Sequence, residues 1–341
     1  MVTVMNYDIH GMLKINSNVD LSDIVLELPY FEVEKVDPNL KIMVENFEFD
    51  KKECGKADLW FYGRDGKDFM YYERYIFRVE DKLLLEGLQA ETTKITATKF
   101  CYKKPLRARG NFMDILKSVQ MLKLSQSGIF IHAACVARDG FAVLMPAMPS
   151  TGKTLTTLQL LHKGYDYMAD DTLILDNKGT AYSYPMPSAI GSYILRYANT
   201  VSRLKRLELK LNSYLRKFSG ATKVVHPFMG KAWELVQGTK IAQNAKVGVI
   251  CLLEAGLGGV EKLDKGHALN KIMAINRYSL PRPQSNPVIL AYTLFNPQFN
   301  LAVFEERERT LLSKLLDKTE CYLISCRNGK WGELVEQALK R

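Results

Sequence analysis

The chain has 341 residues, 47% of them hydrophobic and 25% charged, which suits a soluble globular protein of about two domains. No apolar run approaches the ~18 residues of a membrane helix, and the N-terminus lacks the basic start and apolar block of a signal peptide, so we expect a cytoplasmic protein without membrane contact. The net charge of +10 favours acidic partners such as nucleotides, phosphoproteins or nucleic acid, but does not choose among them.

Residues 1–110 predict a separate β-rich N-terminal domain. Their short runs of β-branched and aromatic residues are bounded by Pro, Gly and Asp, as in an antiparallel meander. Strands are predicted over residues 25–28, 41–49, 59–62, 69–79 and 92–100. Residues 111–127 then place apolar side chains at helical spacing, which predicts a helix that either links the two domains or packs on the edge of the second.

From residue 128 to residue 341, strands and helices alternate, which predicts an α/β domain. The first two strands are expected to form a hairpin around the turn Arg138-Asp-Gly140. Strands are predicted over residues 129–136, 141–145, 167–176, 246–253 and 321–326, and helices over residues 155–161, 203–218, 267–275 and 305–316. None of the six cysteines forms a C-x-x-C pair, so reduced thiols are expected and a zinc site is not.

The segment 203–218 predicts an amphipathic helix with a basic polar face. Its apolar stripe consists of Leu204, Leu207, Leu211, Leu215 and Phe218. Six basic residues accompany a single acidic one, Glu208. Three interpretations stay open: a solvated polar face, a docking surface for an acidic partner or anionic substrate, and a contact with nucleic acid.

The segment Ala147-Met-Pro-Ser-Thr-Gly-Lys-Thr154 lacks only the first glycine of a phosphate-binding loop, G-x-x-x-x-G-K-[ST]. An apolar run precedes it and a leucine-rich helical run follows, and in that setting backbone N–H groups and a helix N-terminus can hold phosphate oxygens. Lys153 would reach the β- and γ-phosphates, and Thr154 would bind Mg²⁺. The predicted nucleotide-binding residues are Ala147, Met148, Pro149, Ser150, Thr151, Gly152, Lys153, Thr154 and Leu155.

Three further residues are expected near this loop. His132 precedes it on the predicted hairpin, and the pair Asp170-Asp171 follows it. We expect the pair at the end of the strand next to the loop, where Asp170 holds Mg²⁺ or its water and Asp171 accepts the proton of an incoming hydroxyl. Taken singly, the histidine could be an ordinary strand residue and the Asp pair an ordinary turn.

The spacing of these elements resembles the C-terminal catalytic domain of the HPr kinase/phosphorylase superfamily. The matching segments are Ile131-His-Ala-Ala-Cys-Val-Ala-Arg-Asp-Gly140, the loop, and Lys163-Gly-Tyr-Asp-Tyr-Met-Ala-Asp-Asp-Thr172. The likeness covers about residues 128–330. It implies an α/β fold with a P-loop core of the HPr-kinase/PEP-carboxykinase-like kind, accompanied by the separate β-rich N-terminal domain.

The resemblance also implies roles for single residues. His132 would be an active-site histidine, Lys153 the phosphate-binding lysine, Thr154 a magnesium ligand, Asp171 the proton acceptor and Arg277 a phosphate contact. The Glu-Ile-Arg-Gly and Pro-Gly-Arg-Asn segments of the superfamily are absent from this sequence. The chain is therefore more similar to divergent relatives, including those that phosphorylate a serine of a peptide precursor.

Together these patterns predict an ATP-dependent kinase that requires Mg²⁺ and acts on a hydroxyl of a peptide, a protein or a small molecule. One alternative is a P-loop ATPase coupled to nucleic-acid or partner binding, although nucleic acid is not the expected partner. Another is a non-catalytic nucleotide-binding module in which Ala147 and Pro149 mark decay of the loop. The donor, whether ATP, GTP or pyrophosphate, stays open, and so does the homo-oligomer that the superfamily's rings suggest.

Overall fold

The computed structural model describes residues 4–22, 24–76, 79–102, 108–190, 195, 197, 200, 202–218, 228–327 and 329–341. Over these residues the protein is a mixed α/β protein whose chain divides into two compact units. The first unit comprises Met1–Ile129 and Pro281–Glu308, and the second comprises Phe130–Leu280 and Arg309–Arg341. Among the described helices, none combines the length and the apolarity needed to cross a bilayer.

The helices follow the predicted apolar spacing. They are α1 (Lys99–Tyr102), α2 (Ala108–Leu124), α3 (Lys153–Leu161), α4 (Arg203–Phe218), α5 (Lys265–Ser279), α6 (Pro287–Phe295), α7 (Ala302–Leu316) and α8 (Trp331–Leu339). In α2 the predicted helical face is buried, with Phe112, Ile115, Leu116 and Val119 at most 1% exposed. The predicted helices of the α/β region correspond to α3, α4, α5 and α7.

A mixed β-sheet forms the centre of the first unit. Its strands are β1 (Met5–Ile9), β2 (Leu13–Ser17), β3 (Glu32–Val33), β4 (Leu40–Val44), β5 (Gly55–Lys56), β6 (Phe61–Gly63), β7 (Phe69–Ile76), β8 (Val79–Glu86) and β9 (Thr93–Ala97). Their order is β3-β1-β2-β4-β9-β8-β7-β6-β5. Alternate residues of β2 and β4 are buried, so apolar side chains such as Ile15 and Ile42 share the core face.

Three features of this sheet differ from the prediction. The β2–β4 and β4–β9 pairs are parallel, so the sheet is not an antiparallel meander. Residues 25–28 do not form a strand, and a short 3₁₀ helix, Leu28–Phe31, carries a proline in its first turn. Residues 69–79 belong to two antiparallel strands, β7 and β8, rather than to one. Strand propensity reflects a half-buried surface and says little about the direction of the partner strand.

The segment Pro281–Glu308 belongs to the first unit because α6 packs on β6 and β7. Tyr292 donates its hydroxyl to Asp68 at 2.7 Å, and the amide of Asn296 donates to the carbonyl oxygen of Lys67 at 3.0 Å. This division differs from the predicted boundaries, which treated residues 111–127 as a linker and placed residues 281–308 in the second domain.

The second sheet contains the strand that leads into the phosphate-loop segment. Its strands, with a short separate pair β16–β17, are β10 (Gly128–Ile131), β11 (Ala133–Arg138), β12 (Phe141–Pro146), β13 (Asp166–Ala169), β14 (Leu173–Asp176), β15 (Thr180–Tyr182), β16 (Ser188–Ile190), β17 (Phe228–Gly230), β18 (Asn244–Ala255), β19 (Gly259–Lys262) and β20 (Glu320–Cys326). The main order is β10-β14-β15-β18-β12-β11-β13, and β18 also pairs in parallel with β20.

Two predicted strands of this sheet are each broken at a polar residue of interest. The run 129–136 divides into β10 and β11 at His132, whose backbone N–H bonds the side chain of Asn276 at 2.9 Å instead of a neighbouring strand. The run 167–176 divides into β13 and β14 at Asp170-Asp171. Periodicity could not show these breaks, because the apolar pattern continues across them.

The sheet topology brings the predicted residues to one edge. Strand β11 runs antiparallel to both β12 and β13, with Ala133 opposite Pro146 and Cys135 opposite Ala169. The carboxyl ends of β12 and β13 therefore meet the amino end of β11. The prediction that the Asp pair follows the strand next to the loop is wrong, because β11 lies between β12 and β13.

Candidate active site

The loop between β12 and α3 contains two residues with a positive φ. Ser150 has a φ of 64°, which is unusual for a residue with a side chain, and Gly152 has a φ of 131°. No side chain among the described residues caps the N-terminus of α3, and its first turn has no acidic residue. Its first N–H groups are therefore available to an anion. Ala147 has no positive φ, so alanine is tolerated where the motif usually has glycine.

Lys153 is the most enclosed cation of this site. Its side chain is 7% exposed, and Nζ donates to the carbonyl oxygens of Ala147 at 3.0 Å and Met148 at 3.4 Å. A third contact joins Nζ to Nε2 of His132 at 2.9 Å. Burial lowers the pKa of the ammonium, and the Asp171 and Asp170 carboxylates act in the opposite direction. An anion entering the loop would therefore stabilise the charged lysine.

His132 is a neutral partner of Lys153. Burial lowers the pKa of His132 to about 3, and the adjacent Lys153 ammonium acts in the same direction. An ammonium group can only donate, so Nε2 accepts and the ring proton lies on Nδ1. Among the described residues, this buried Nδ1 has no hydrogen-bond partner. A histidine with this pKa positions the lysine and does not act as a general base near pH 7.

The two aspartates have different surroundings. Asp171 is 46% exposed at its side chain, and its Oδ1 lies 3.5 Å from Nε2 of His132 and 3.8 Å from Nζ of Lys153. Asp170 is 3% exposed and accepts hydrogen bonds from Thr154 at 2.6 Å and Thr157 at 3.3 Å. Burial raises the pKa of Asp170, and the hydrogen bond from Thr154 opposes this effect. Asp171 is thus accessible to a substrate, whereas Asp170 faces the loop.

The oxygen pair of Thr154 and Asp170 fits a magnesium ion. Both side chains offer the oxygen ligands that magnesium prefers, and these two oxygens lie 2.6 Å apart at the first turn of α3. Within the described ranges, no group of three or more His, Cys, Asp or Glu side chains is arranged to hold a metal. Magnesium commonly takes one or two protein oxygens and completes its shell with waters and substrate phosphates, so this sparse set is suited to it.

The loop opens into a cleft of about 430 Å³. Residues of the loop and both aspartates line one side of it. The other lining residues, which the sequence did not single out, are Met186, Pro187, Ser188, Ala189, Met229 and Trp331. Trp331 lies beside Gly152, and Gln159 of α3 holds the start of α8 by bonds to Gly329 and Gly332. These side chains carry no sequence signature, since the fold alone brings them to the loop.

Arg277 is a predicted site residue that does not line the cleft. It lies near the end of α5 and is exposed. Its neighbour Asn276 is fully buried and accepts the backbone N–H of His132. The residue of α5 that contacts the site is therefore Asn276, which the sequence analysis did not single out. No spacing rule marks an asparagine on the buried side of a helix, so the sequence carried no signal for Asn276.

No family model and no curated protein matches the chain. Among solved structures, the Hpr(Ser) kinase/phosphatase from Coxiella burnetii is similar at 14% sequence identity and a TM-score of 0.21. The likeness covers 39% of this chain and 77% of that one. At this TM-score it is a distant likeness that carries no argument for the fold or the function.

Proposed function

We propose that this protein is an ATP-dependent kinase that transfers the γ-phosphate to a hydroxyl of a peptide, a protein or a small molecule. One observation supports this most directly. At a single edge of the sheet, Lys153, His132 and Asp171 lie within 3.8 Å of one another beside an uncapped, strained loop. This combination provides a cation for a phosphate and an accessible carboxylate for the acceptor.

Lys153 and the loop bind and orient the triphosphate. Backbone N–H groups and the Lys153 ammonium offset the charge on the γ-phosphate, and His132 holds the ammonium toward Asp171 by accepting a hydrogen bond from it. When bound, Mg²⁺ held by Thr154 and Asp170 would neutralise further charge on the phosphates.

Asp171 accepts the proton of the acceptor hydroxyl. The acceptor oxygen forms a bond to the γ-phosphorus, the bond from that phosphorus to the β–γ bridging oxygen breaks, and ADP leaves with the electron pair. Because Asp171 is half exposed while Lys153 is buried, the acceptor reaches the carboxylate from the open side of the cleft.

The test is transfer of label from γ-labelled ATP in the presence of Mg²⁺ and candidate hydroxyl acceptors. Wild-type protein should label an acceptor, Lys153→Ala should lose both ATP binding and transfer, and Asp171→Asn should keep ATP binding and lose transfer. Full transfer by Asp171→Asn would remove its assigned role. Release of labelled phosphate with no labelled acceptor would favour an ATPase, and ATP binding without turnover would favour a non-catalytic module.

A further inference from the structure

Helix α4 turns three of its leucines toward solvent. Leu204, Leu207 and Leu211 are 85%, 71% and 58% exposed, and their spacing of three and four residues places them on one face. The opposite face is the one that meets the protein. There Leu209 is 2% exposed, and Arg206 donates from Nη1 to the carbonyl oxygen of Leu195 at 3.0 Å.

This orientation is the reverse of that expected for a surface helix, whose apolar stripe normally faces the core. The interpretation of the helix as one with a merely solvated polar face therefore does not account for it. Contiguous exposed apolar side chains on a surface helix are typical of an interaction site.

The charge of α4 favours an acidic partner. Six basic residues lie on the helix and only one acidic residue, Glu208. Arg203 and Lys210 are exposed and each precedes a leucine of the stripe, so they border the apolar face. A second copy of α4 would add another set of cations to the contact, which disfavours self-association through this face.

The position of α4 in the chain connects it to the cleft. The helix lies in the connection between β16 and β17, which pair with each other from Ser188 opposite Gly230. Ser188, Ala189 and Met229 of these strands line the cleft. The chain thus leaves the wall of the cleft, forms α4, and returns to the same wall, so α4 is connected through the chain to two strands that line the site.

We propose that α4 is the docking surface for an acidic, amphipathic segment of the protein or peptide that carries the acceptor hydroxyl. This inference rests on the proposed kinase function. The partner's apolar side chains, spaced as on a helix, cover Leu204, Leu207 and Leu211, and its carboxylates face Arg203 and Lys210. At 16 residues, α4 is about 24 Å long, enough for a segment of about four turns. A serine beyond that segment is then presented to Asp171.

The probe is a synthetic peptide in which glutamates border leucines at helical spacing, followed by a short flexible linker and one serine. Binding to the full chain is measured by fluorescence anisotropy. Wild type should bind, added salt should weaken binding, and Leu207→Ser with Leu211→Ser should weaken it at least tenfold. The matched control is Leu257→Ser, because Leu257 is 92% exposed at a distant place in the sequence and should leave affinity unchanged.

A charge exchange gives a second variant that keeps the leucines. Arg203→Glu with Lys210→Glu should weaken binding of the acidic peptide, and a peptide with two glutamates replaced by lysines should recover it. Equal affinity of wild type and Leu207→Ser/Leu211→Ser for the acidic peptide would overturn the proposal. So would wild-type binding to vesicles of phosphatidylglycerol and phosphatidylcholine without binding to the peptide, or a dimer that the leucine variant converts to a monomer.

Label transfer separates this inference from the proposed function. With γ-labelled ATP, the leucine variant should show at least a tenfold higher KM for the peptide, an unchanged kcat and unchanged ATP affinity. Peptide binding that depends on the leucines, without any transfer of label, would refute the kinase activity and leave the docking surface standing. Transfer with equal KM in wild type and variant would refute the docking surface alone.

Discussion

Replacing Gly152 by alanine adds a single methyl group to this site and should strongly lower the affinity for ATP. The φ of Gly152 is 131°, a region that residues with a side chain rarely adopt, and holding alanine there costs about 1–3 kcal/mol. A Cβ atom would also lie 2.8 Å from Nε1 and 3.0 Å from Cε2 of Trp331. The Trp331 ring is 4% exposed, so it has little room to move away.

We expect Gly152→Ala to relieve this strain by distorting the loop, and ATP affinity should therefore fall about 10- to 100-fold, or about 1.4–2.8 kcal/mol. Isothermal titration with ATP and Mg²⁺ measures the affinity, and thermal melting measures the accompanying loss of stability. The matched control is Gly164→Ala. Gly164 also has a positive φ, 84°, but no neighbouring atom within 4 Å of its Cβ position, so stability should fall while ATP affinity is kept.

A double-mutant cycle separates the two causes of the effect. Trp331→Phe removes the nitrogen nearest to the new methyl group. In the Trp331→Phe protein, Gly152→Ala should therefore weaken the free energy of ATP binding by about 0.5–3 kcal/mol less than it does in wild type. Equal costs in both backgrounds would show that the contact with Trp331 is irrelevant. Unchanged ATP affinity in Gly152→Ala itself would refute the assignment of the loop as the phosphate site.

Three further substitutions test other parts of the structure. His132→Gln removes an imidazole whose pKa is about 3 in the folded protein, against about 6.5 when unfolded. As pH falls, the unfolded state takes up this proton first, so wild type loses stability below about pH 6.5, by about 2–3 kcal/mol near pH 4.5. The melting temperature of wild type should therefore fall more steeply with acid than that of the variant. Parallel pH profiles would contradict this. Thr154→Val leaves buried Asp170 without its closest hydrogen-bond donor, so the free energy of unfolding should fall by about 1–3 kcal/mol. The Mg²⁺ dependence of ATP binding should also weaken in titrations. An unaltered Mg²⁺ dependence would exclude Thr154 and Asp170 as the metal site. Gly63→Ala places a methyl group inside van der Waals contact with the ring of Phe295, which should lower the free energy of unfolding by about 1–3 kcal/mol in thermal melting. Phe295→Leu should recover part of that stability. No recovery would count against this packing.

The sequence predicted the participants of the candidate site because their chemistry requires particular residue types. A lysine and threonine after glycine at the start of a helix, and carboxylates after a strand, are recognisable without coordinates. In the structure the carboxyl ends of β12 and β13 meet the amino end of antiparallel β11, and this brings Lys153, His132 and Asp171 together. The position of β11 between β12 and β13 was not predictable, since strand order depends on contacts distant in sequence.

The residues that the sequence did not reveal act through shape or backbone contacts. Asn276 replaces a sheet hydrogen bond at His132, and Trp331 packs beside Gly152. Neither role has a spacing rule, because an asparagine or a tryptophan on a helix is consistent with many environments. The sequence also could not predict that α6 packs on the first sheet, because Pro287–Phe295 is apolar on most sides and does not specify which sheet it contacts.

The chain crosses between its two compact units after residues 129, 280 and 308, and this has consequences for how the protein can be divided. A gene fragment that ends at residue 129 would encode the first sheet without α6, whose Val288, Ile289, Tyr292 and Phe295 are buried. Such a fragment would leave apolar surface in water and would be prone to aggregate. A fragment intended to contain the whole first unit must therefore carry both Met1–Ile129 and Pro281–Glu308, although the two segments are far apart in the gene.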